Sequence, residues 1–582
     1  MVVNMKLSSE QYKIVNNIYN QRIMIVQAPP GTGKTFTAVN AANKFIENQI
    51  ISKNKMIKKV LILTFSKNAR AQIIKQRRNL KDDKYNFDKY IEITNYHSFY
   101  KKYIDSYSNY LGLGNNLRLI SEMTRRKQIR CILNDLGVSL IKDSQIDWAM
   151  DLLDGDYIPS NKIKKKQVQQ IYYLKDKIIS KIIQSNREGN IYFSDFAYYM
   201  KLLLLKSPKL LSIINEKYQL IILDEYQDSS DIQEEIVKLL VGNKNRALFF
   251  ADTNQMIYEW RGATSKRIEN IKEYYQNEVK VINLTQVYRY KGKDDIMSLV
   301  NSIVNGEYNI QNRISTSNIK YTNIPVNGTI NFYNPKIKNK CFSDMKYTVY
   351  NILRNKKSDS IGVLTRDNEL LIYLKNSLKK DFNLELKLMC NNENEHLIVE
   401  EIGRYIENNN FEIDNNVKLL INILDAISEE KKFGSFDLRK KEEYTYNLIR
   451  KARVEVIKRI CTASENIYDV SSFQQQVIEY IQYLFNSSIL INNDMYYLIK
   501  SIVGIKKLNA KNIDSIFIQY QTAKSFINLK GRYILNVHQS KGREFDTVII
   551  LDSNRIAKEK NLFYVAVSRA RKEIIMVDWI ES

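Results

Sequence analysis

The run Gly31-Thr32-Gly33-Lys34-Thr35 places two glycines, a lysine and a hydroxyl at the spacing a phosphate chain requires. Lacking a Cβ, Gly31 and Gly33 let backbone N–H groups close on phosphate oxygens. Lys34 has the length to reach β- and γ-phosphates, and the Thr35 hydroxyl is a ligand for Mg²⁺. Much further along, an apolar run ends in the acidic pair Asp224-Glu225. Asp224 can ligand the same Mg²⁺, and Glu225 can orient an attacking water. Acidic pairs after strands are common, and this one takes its meaning from the phosphate loop. Transfer of a γ-phosphoryl group also needs positive charge, typically an arginine contributing ~10³ to 10⁵ in rate. Arg289 in LTQVYRY and Arg569 in NLFYVAVSRAR stand in suggestive settings. Residue type alone leaves either free to be a surface or salt-bridge arginine.

Such groups must be held by rigid elements. Residues 22–27 (RIMIVQ) form an apolar run of strand type and lead into Ala28-Pro29-Pro30, the glycine loop and a helical stretch from Phe36. That order, strand, loop and helix, aims the N-terminal end of the helix at the phosphates. Ala28 stands where the phosphate-loop pattern usually has its first glycine. Further apolar strands are expected at 60–65 (VLILTF), 218–223 (YQLIIL) and 279–284, which suit an α/β, doubly wound parallel sheet.

The 582 residues exceed what one core organises, so several domains are expected. Lys and Arg number 89 against 64 Asp and Glu, a formal charge of +25 that favours a polyanionic partner, although compositional bias produces the same excess. Cys131, Cys341, Cys390 and Cys461 lie far apart, with no paired spacing for zinc, an iron–sulfur cluster or a disulfide framework. No signal pattern or apolar run of the ~18 residues a membrane span needs is present. A soluble, cytoplasmic protein without a membrane partner is expected.

Taken in order, these segments resemble superfamily 1 DNA helicases of the UvrD/Rep/PcrA type, from Leu7 to the last twenty residues. LSSEQYKIV resembles the Q motif, APPGTGKT motif I, LTFSKNA motif Ia and NYHSF motif Ib. ILDEYQDSS resembles motif II, ADTNQMIYEWRGA motif III, LTQVYR motif IV, VHQSKGREFDTVII motif V and YVAVSRAR motif VI. Ala251, Val287 and Arg543 depart from the residues usual in motifs III, IV and V.

The resemblance implies two RecA-like P-loop NTPase domains of parallel sheets flanked by helices, each with a mainly helical insertion. Residues 1–99 and 192–288 would form the first (1A) and 100–191 its insertion (1B). Residues 289–390 and 527–582 would form the second (2A), and 391–526 its insertion (2B), shorter than the family expectation. Strands of the second core are expected at 329–333 and 360–365, with a polar, loop-rich stretch over 305–327. Basic runs at 125–127 and 162–166 of 1B would lie along DNA, although such runs are more often solvated faces.

ATP and Mg²⁺ are the implied cofactors. Pro30, Gly31, Thr32, Gly33, Lys34 and Thr35 would hold the phosphates, Gln11 the adenine edge, Tyr288 the adenine face and Glu544 the ribose. Thr35 and Asp224 would hold the metal. Gln227 and Gln255 would lie near the γ-phosphate, with Arg289 and Arg569 as two arginine fingers reaching it across the cleft. Phe65, Tyr96, Tyr258, Trp260 and Arg261 would meet DNA, with His97 and His538 along its track. Aromatic rings suit a motor indifferent to sequence, because every base offers a π-face worth ~1 to 3 kcal/mol.

The implied activity is ATP-dependent 3′-to-5′ translocation on single-stranded DNA and unwinding at duplex junctions. The short 2B and the absence of a tail or nuclease domain also suit a DNA-sensing ATPase subunit. Such a subunit would control a protein partner, a nuclease or a repair or defence component, as in an anti-phage system of the Gabija kind. A metabolic P-loop kinase would leave motifs Ia, III and V without a purpose.

The charge excess generates the first test. Neutralising about 5 phosphates, at a slope of about −0.7 per contact, weakens single-strand binding roughly 100-fold between about 50 and about 200 mM salt. A salt titration of binding should show that fall for unrelated base sequences alike, and an affinity indifferent to salt would contradict it.

Overall fold

Uninterrupted apolar runs such as Ile23–Val26 and Leu220–Leu223 belong to strands covered on both faces, and here every one of those side chains is essentially inaccessible to water. The computed structural model describes residues 6–53, 56–65, 67–79, 87–114, 117–120, 122–155, 162–259, 262–310, 313–326, 334–356, 358, 360–388, 393–427, 455–456, 458–486, 493–509, 513, 516 and 531–581.

In the N-terminal half the strands are β1 (Ile23–Gln27), β2 (Lys59–Thr64), β3 (Ile91–Asn95), the short pair β4 (Arg118–Leu119) and β5 (Asn190–Ile191), then β6 (Tyr218–Leu223), β7 (Arg246–Ala251) and β8 (Val279–Asn283). Among the described residues the main sheet has the order β3-β2-β6-β7-β1-β8, with every neighbouring pair parallel. Alternate side chains serve two cores. Ile23, Ile25, Leu61 and Leu63 pack with Tyr96, Tyr199 and Ile236 on one side. Met24, Val26, Val60 and Ile62 pack with Ala38, Phe45 and Ile14 on the other.

A second parallel sheet holds β9 (Ile319–Val326), β10 (Ser360–Thr365), β11 (Lys387–Leu388), β12 (Gly531–Asn536), β13 (Phe545–Leu551) and β14 (Ala570–Glu581), in the order β11-β12-β10-β13-β14-β9. Two α/β domains with helices on their sheets are therefore present, as the family resemblance implies.

The stretch expected to be loop-rich contains β9, which pairs with β14 from Ile319–Ile574 to Val326–Glu581. Only Ile319, Ile324 and Val326 of it are buried, and Pro325 sits in a strand at the sheet edge, where a missing N–H is tolerated. The strand expected at 329–333 lies outside the described residues.

Between β4 and β5 the chain forms helices Glu122–Asp135, Asp143–Met150, Lys162–Gln169 and Lys175–Asn186 around Ile129, Ile146, Trp148 and Ile178. Arg125, read as part of a basic surface run, is instead fully buried. Its Nη2 pairs with the equally buried Asp195 at 3.0 Å, its Nε and Nη2 donate to Met150 O, and its Nη1 donates to Gln128.

Residues Cys390–Ser525 form a separate compact unit. Within it, helices Glu393–Asn408, Ile413–Ile427, Val470–Asn486 and Asn493–Val503 enclose an apolar core that includes Ile402, Leu420, Phe473 and Leu498. Buried Asn416 ties that core together, its Nδ2 donating to the carbonyls of Phe411 (2.9 Å), Ser464 (2.8 Å) and Ile467 (3.0 Å). Among the described residues no helix is long and apolar enough to cross a membrane.

Removing one partner of a buried pair strands the other charge, which typically costs about 3–5 kcal/mol. Arg125→Ala is expected to destabilise the 122–195 helices by that order, seen as a lowered melting transition and early protease cleavage there. Wild-type stability would show that Asp195 does not depend on Arg125.

Candidate active site

The phosphate loop follows β1, and the acidic segment follows β6, with β7 between these two strands in the sheet. The carboxyl ends of three neighbouring strands thus converge at one edge, the place where open parallel sheets present ligands. Ala28 N–H donates to Ala251 O (3.0 Å), tying the exit of β1 to that of β7, and Asp224 N–H donates to Leu63 O (3.0 Å), tying the exit of β6 to that of β2.

Gly31 and Gly33 take φ of +81° and +83°, a region open to glycine. Helix Lys34–Ile51 starts at Gly33 with no side-chain cap, so its first N–H groups are left for an anion. Thr35 lies in its first turn, and Pro30 and Thr32 are buried. Gln11 supports the loop from outside. It closes a capping box with Ser8, and its Nε2 donates to Thr32 O at 3.0 Å.

A chain of polar contacts then runs across the site. Lys34 Nζ lies 2.8 Å from Glu225 Oε1, and Glu225 Oε2 accepts from Gln227 Nε2 at 2.6 Å. Gln227 Oε1 accepts from the Asp252 N–H (3.0 Å), and Asp252 Oδ2 accepts from Gln255 Nε2 (2.8 Å). Gln255 Oε1 accepts from Arg569 Nη2 at 3.0 Å, which carries the chain into the second α/β domain. Lys541, from the turn after β12, reaches the same place. It donates to Gln255 O at 2.6 Å, pairs with Asp228 and lies 3.9 Å from Glu225 Oε2.

Burial raises Asp224, and the Glu225 charge adds to it, so that its carboxyl sits at about 7. Burial pushes Glu225 up as well, but the Lys34 and Lys541 ammoniums outweigh it and bring it down to about 2. Lys34 stays above its ordinary range, since Glu225, Asp252 and Asp224 more than offset its own burial. Burial and the nearby Arg289 lower Arg569.

Segment 284–289 crosses over the phosphate loop. Its backbone belongs to the first domain, with Leu284 N–H on Gln27 O (2.9 Å) and Tyr288 N–H on Gly31 O (2.8 Å). The Arg289 guanidinium belongs to the second, donating to Ser568 O at 2.5 Å and pairing with Glu544. Arg289 thus straddles the seam, where the sequence reading put it wholly on the second domain. Glu544, assigned to ribose, pairs with Arg289, and the Tyr288 ring is half-exposed.

The aromatic residues form two groups. Phe65 stacks on Tyr258 with centroids 5.3 Å apart, and the Tyr258 hydroxyl donates to His538 O at 3.3 Å. His97 stacks on Phe193 at 3.6 Å, and Phe193 is 45% exposed. Tyr96 departs from the expectation. It is 1% exposed and packed with Phe99 and Tyr100 under the sheet, because the first helical position after β3 faces the core. Its ring presents no face to a base. Trp260 and Arg261 lie outside the described residues.

Sequence reasoning missed Lys541, Asp252 and Phe193 as individuals. Lys541 and Asp252 sit inside segments it had marked, in SKG and ADTNQ, so the signal lay in segment identity rather than in residue type, whereas Phe193 lies in no marked motif.

Two parallel sheets with a phosphate loop on one and a reaching arginine on the other define a P-loop nucleoside triphosphatase with a split site. Residues 7–276 match the UvrD/REP helicase N-terminal domain and residues 531–577 the UvrD-like helicase C-terminal domain. A probable DNA helicase II homolog of Mycoplasma pneumoniae is 24% identical, covering 99% of this chain and 84% of its own length. The ATP-dependent DNA helicase Rep of Buchnera aphidicola subsp. Baizongia pistaciae is 23% identical, with 98% and 91% covered. The ATP-dependent DNA helicase PcrA of Leuconostoc citreum is 22% identical over 48% of this chain and 37% of its own. The chain belongs to the UvrD-type superfamily 1 DNA helicases, and its activity is ATP-dependent.

A Cβ added at Gly31 would meet Arg289 Cβ at 2.5 Å and Val287 Cγ1 at 3.2 Å, whereas one at Gly292 (φ +75°) meets nothing within 4 Å. Both changes carry a left-handed backbone cost of about 1–2 kcal/mol, but only the first pushes the bridging segment away. Gly31→Ala should lower ATP turnover at least about tenfold, the equivalent of roughly 1.4 kcal/mol, with Gly292→Ala near wild type. Equal rates in the two variants would show that this close approach is immaterial.

Proposed function

We propose that the chain is a translocase that moves 3′ to 5′ along single-stranded DNA and opens duplex junctions, driven by hydrolysis of ATP with Mg²⁺ at the seam. The observation that carries this reading is the unbroken polar chain from Lys34 to Arg569, whose central segment continues directly into Tyr258 of the Phe65–Tyr258–His538 group. One stretch, 252–258, therefore touches both the nucleotide side and the aromatic side.

The residues fit the two cofactors. Left-handed glycines and the uncapped helix suit the phosphates, with Lys34 beside them, and Gln11, Tyr288 and Glu544 are assigned to adenine and ribose. Thr35 and Asp224 supply the oxygen ligands for Mg²⁺, whose charge supports the β- and γ-phosphates when bound. Phosphate oxygens compete with Glu225 for Lys34, which leaves the Glu225 carboxylate to orient water and accept its proton. Gln255 senses the γ-phosphate, and Arg569 and Arg289 add positive charge where the transition state spreads negative charge. Both arginines hold the second domain against the first, so nucleotide turnover alters that seam. Phe65, Tyr258, His538 and His97, with Trp260 and Arg261, are assigned to the strand, where stacking suits any base.

The test is unwinding and ATP turnover by the purified protein. Duplexes with a 3′ single-stranded tail should open and those with only a 5′ tail should not, with turnover rising sharply on single strands. Lys34→Ala and Glu225→Gln should abolish hydrolysis, Glu225→Gln still binding ATP. Arg289→Ala and Arg569→Ala should each lose ~10³ or more in single-turnover rate. Opening of 5′-tailed duplexes alone would reverse the polarity. Stimulated hydrolysis without any opening would favour a DNA-sensing ATPase subunit acting on a nuclease or defence partner.

A further inference from the structure

The helical insertion touches the acidic segment through Asp154. After helix Asp143–Met150 the chain turns at Asp151–Gly155, with the Asp154 N–H on Asp151 O at 2.9 Å. Leu152 and Leu153 are buried in the insertion's own core, so this turn is anchored. Its next residue, Asp154, accepts through Oδ1 from Ser230 Oγ at 3.1 Å. Ser230 caps helix Asp231–Val241 and ends the segment that begins at Asp224. Ser230 is 3% exposed, and Asp154 is partly buried.

Behind this contact lies a group of hydroxyls. Tyr96 OH, Tyr100 OH and Ser229 Oγ are all buried; Tyr96 OH faces Ser229 Oγ, and Tyr100 OH has no hydrogen-bond partner among the described residues. A buried polar atom without a partner costs about 1–3 kcal/mol, so this group calls for a role. Tyr96 and Tyr100 stand 6.1 Å apart on helix Tyr96–Ser106, the helix that also carries His97 against Phe193. The cluster lies between two carboxylates. Beyond the effect of burial, Tyr100 is raised by Tyr96 and Asp154, and Tyr96 by Asp224.

We propose that Asp154 is a positioning residue, through which the helical insertion sets the Asp224–Ser230 segment by way of Ser230 and the hydroxyls beside it. A strand engaged by the insertion and by His97–Phe193 thereby changes the placement of Asp224 and Glu225, and with it the rate of hydrolysis. This rests on the reading that single-stranded DNA stimulates turnover.

The experiment compares wild type, Asp154→Ala and Asp154→Asn for kcat with and without saturating single-stranded DNA, KM for ATP, and Tm. Asn keeps an acceptor oxygen for Ser230 where Ala does not. Asp154→Ala is expected to lose about tenfold in DNA-stimulated kcat, as for a hydrogen bond to a charged group, with unstimulated kcat, KM and Tm near wild type. Asp154→Asn should recover most of the stimulated rate. A stimulated Asp154→Ala equal to wild type overturns the proposal. So does a parallel loss of both rates with Tm, or an Asn variant no better than Ala. A wild type that single strands fail to stimulate removes the functional reading beneath the proposal, and the proposal with it, a result the wild-type arm alone reveals.

Discussion

Charge taken out of water must be matched at close range, and at this site neither sheet can do so alone. The first domain brings Lys34 with Asp224, Glu225, Asp228 and Asp252, an excess of carboxylates gathered at three strand ends. The second brings Lys541 and Arg569, both nine-tenths or more buried, into the same space. An isolated buried ion is costly by several kcal/mol, whereas paired and hydrogen-bonded ions are tolerated. Two α/β layers are thus held in one register by their unbalanced charges, and the glutamines between them, Gln227 and Gln255, fill the remaining donors and acceptors.

Such a seam is sensitive to whatever alters its charge. A polyanion entering beside Lys34 competes for that ammonium and shifts the balance among Glu225, Lys541 and Asp228. Because 252–258 runs from this network to Tyr258, and Tyr258 touches His538 of the other domain, a change in the network need not travel far to reach the aromatic rings. The coupling requires a contiguous set of polar contacts from one domain to the other, and such a set is present. Segment 284–289 adds a second tie, with its backbone on the phosphate loop and its guanidinium on the far side.

Strands covered on both faces were legible in the sequence because their apolar runs are continuous, as in IMIV of β1 and LIIL of β6. β9 was not, because an edge strand exposes every few residues and Pro325 argues against pairing. Arg125 misled for a related reason. A basic run says nothing about a distant Asp195, and only the meeting of the insertion with helix Asp195–Lys206 turns a surface charge into a buried one. Lys541 was hidden among 89 basic residues, although its segment was recognised.

The sequence by itself determined the class of chemistry, since a glycine-bearing phosphate loop, an acidic pair after a strand and an ordered set of motifs depend on local spacing that no folding alternative can alter. It also determined an α/β parallel sheet, through runs of consecutive apolar residues, and its ordered motifs carried the resemblance that implied two such domains. Tertiary structure alone decided which groups meet. Tyr96 turns inward though its neighbour His97 faces Phe193, because successive helical residues point about 100° apart and the core lies on one side only. Arg289 bridges two domains rather than belonging to one, because its backbone and guanidinium find partners separated by hundreds of residues. Contacts of that range have no signature in local spacing, since they depend on where several strand ends and helices come to rest together.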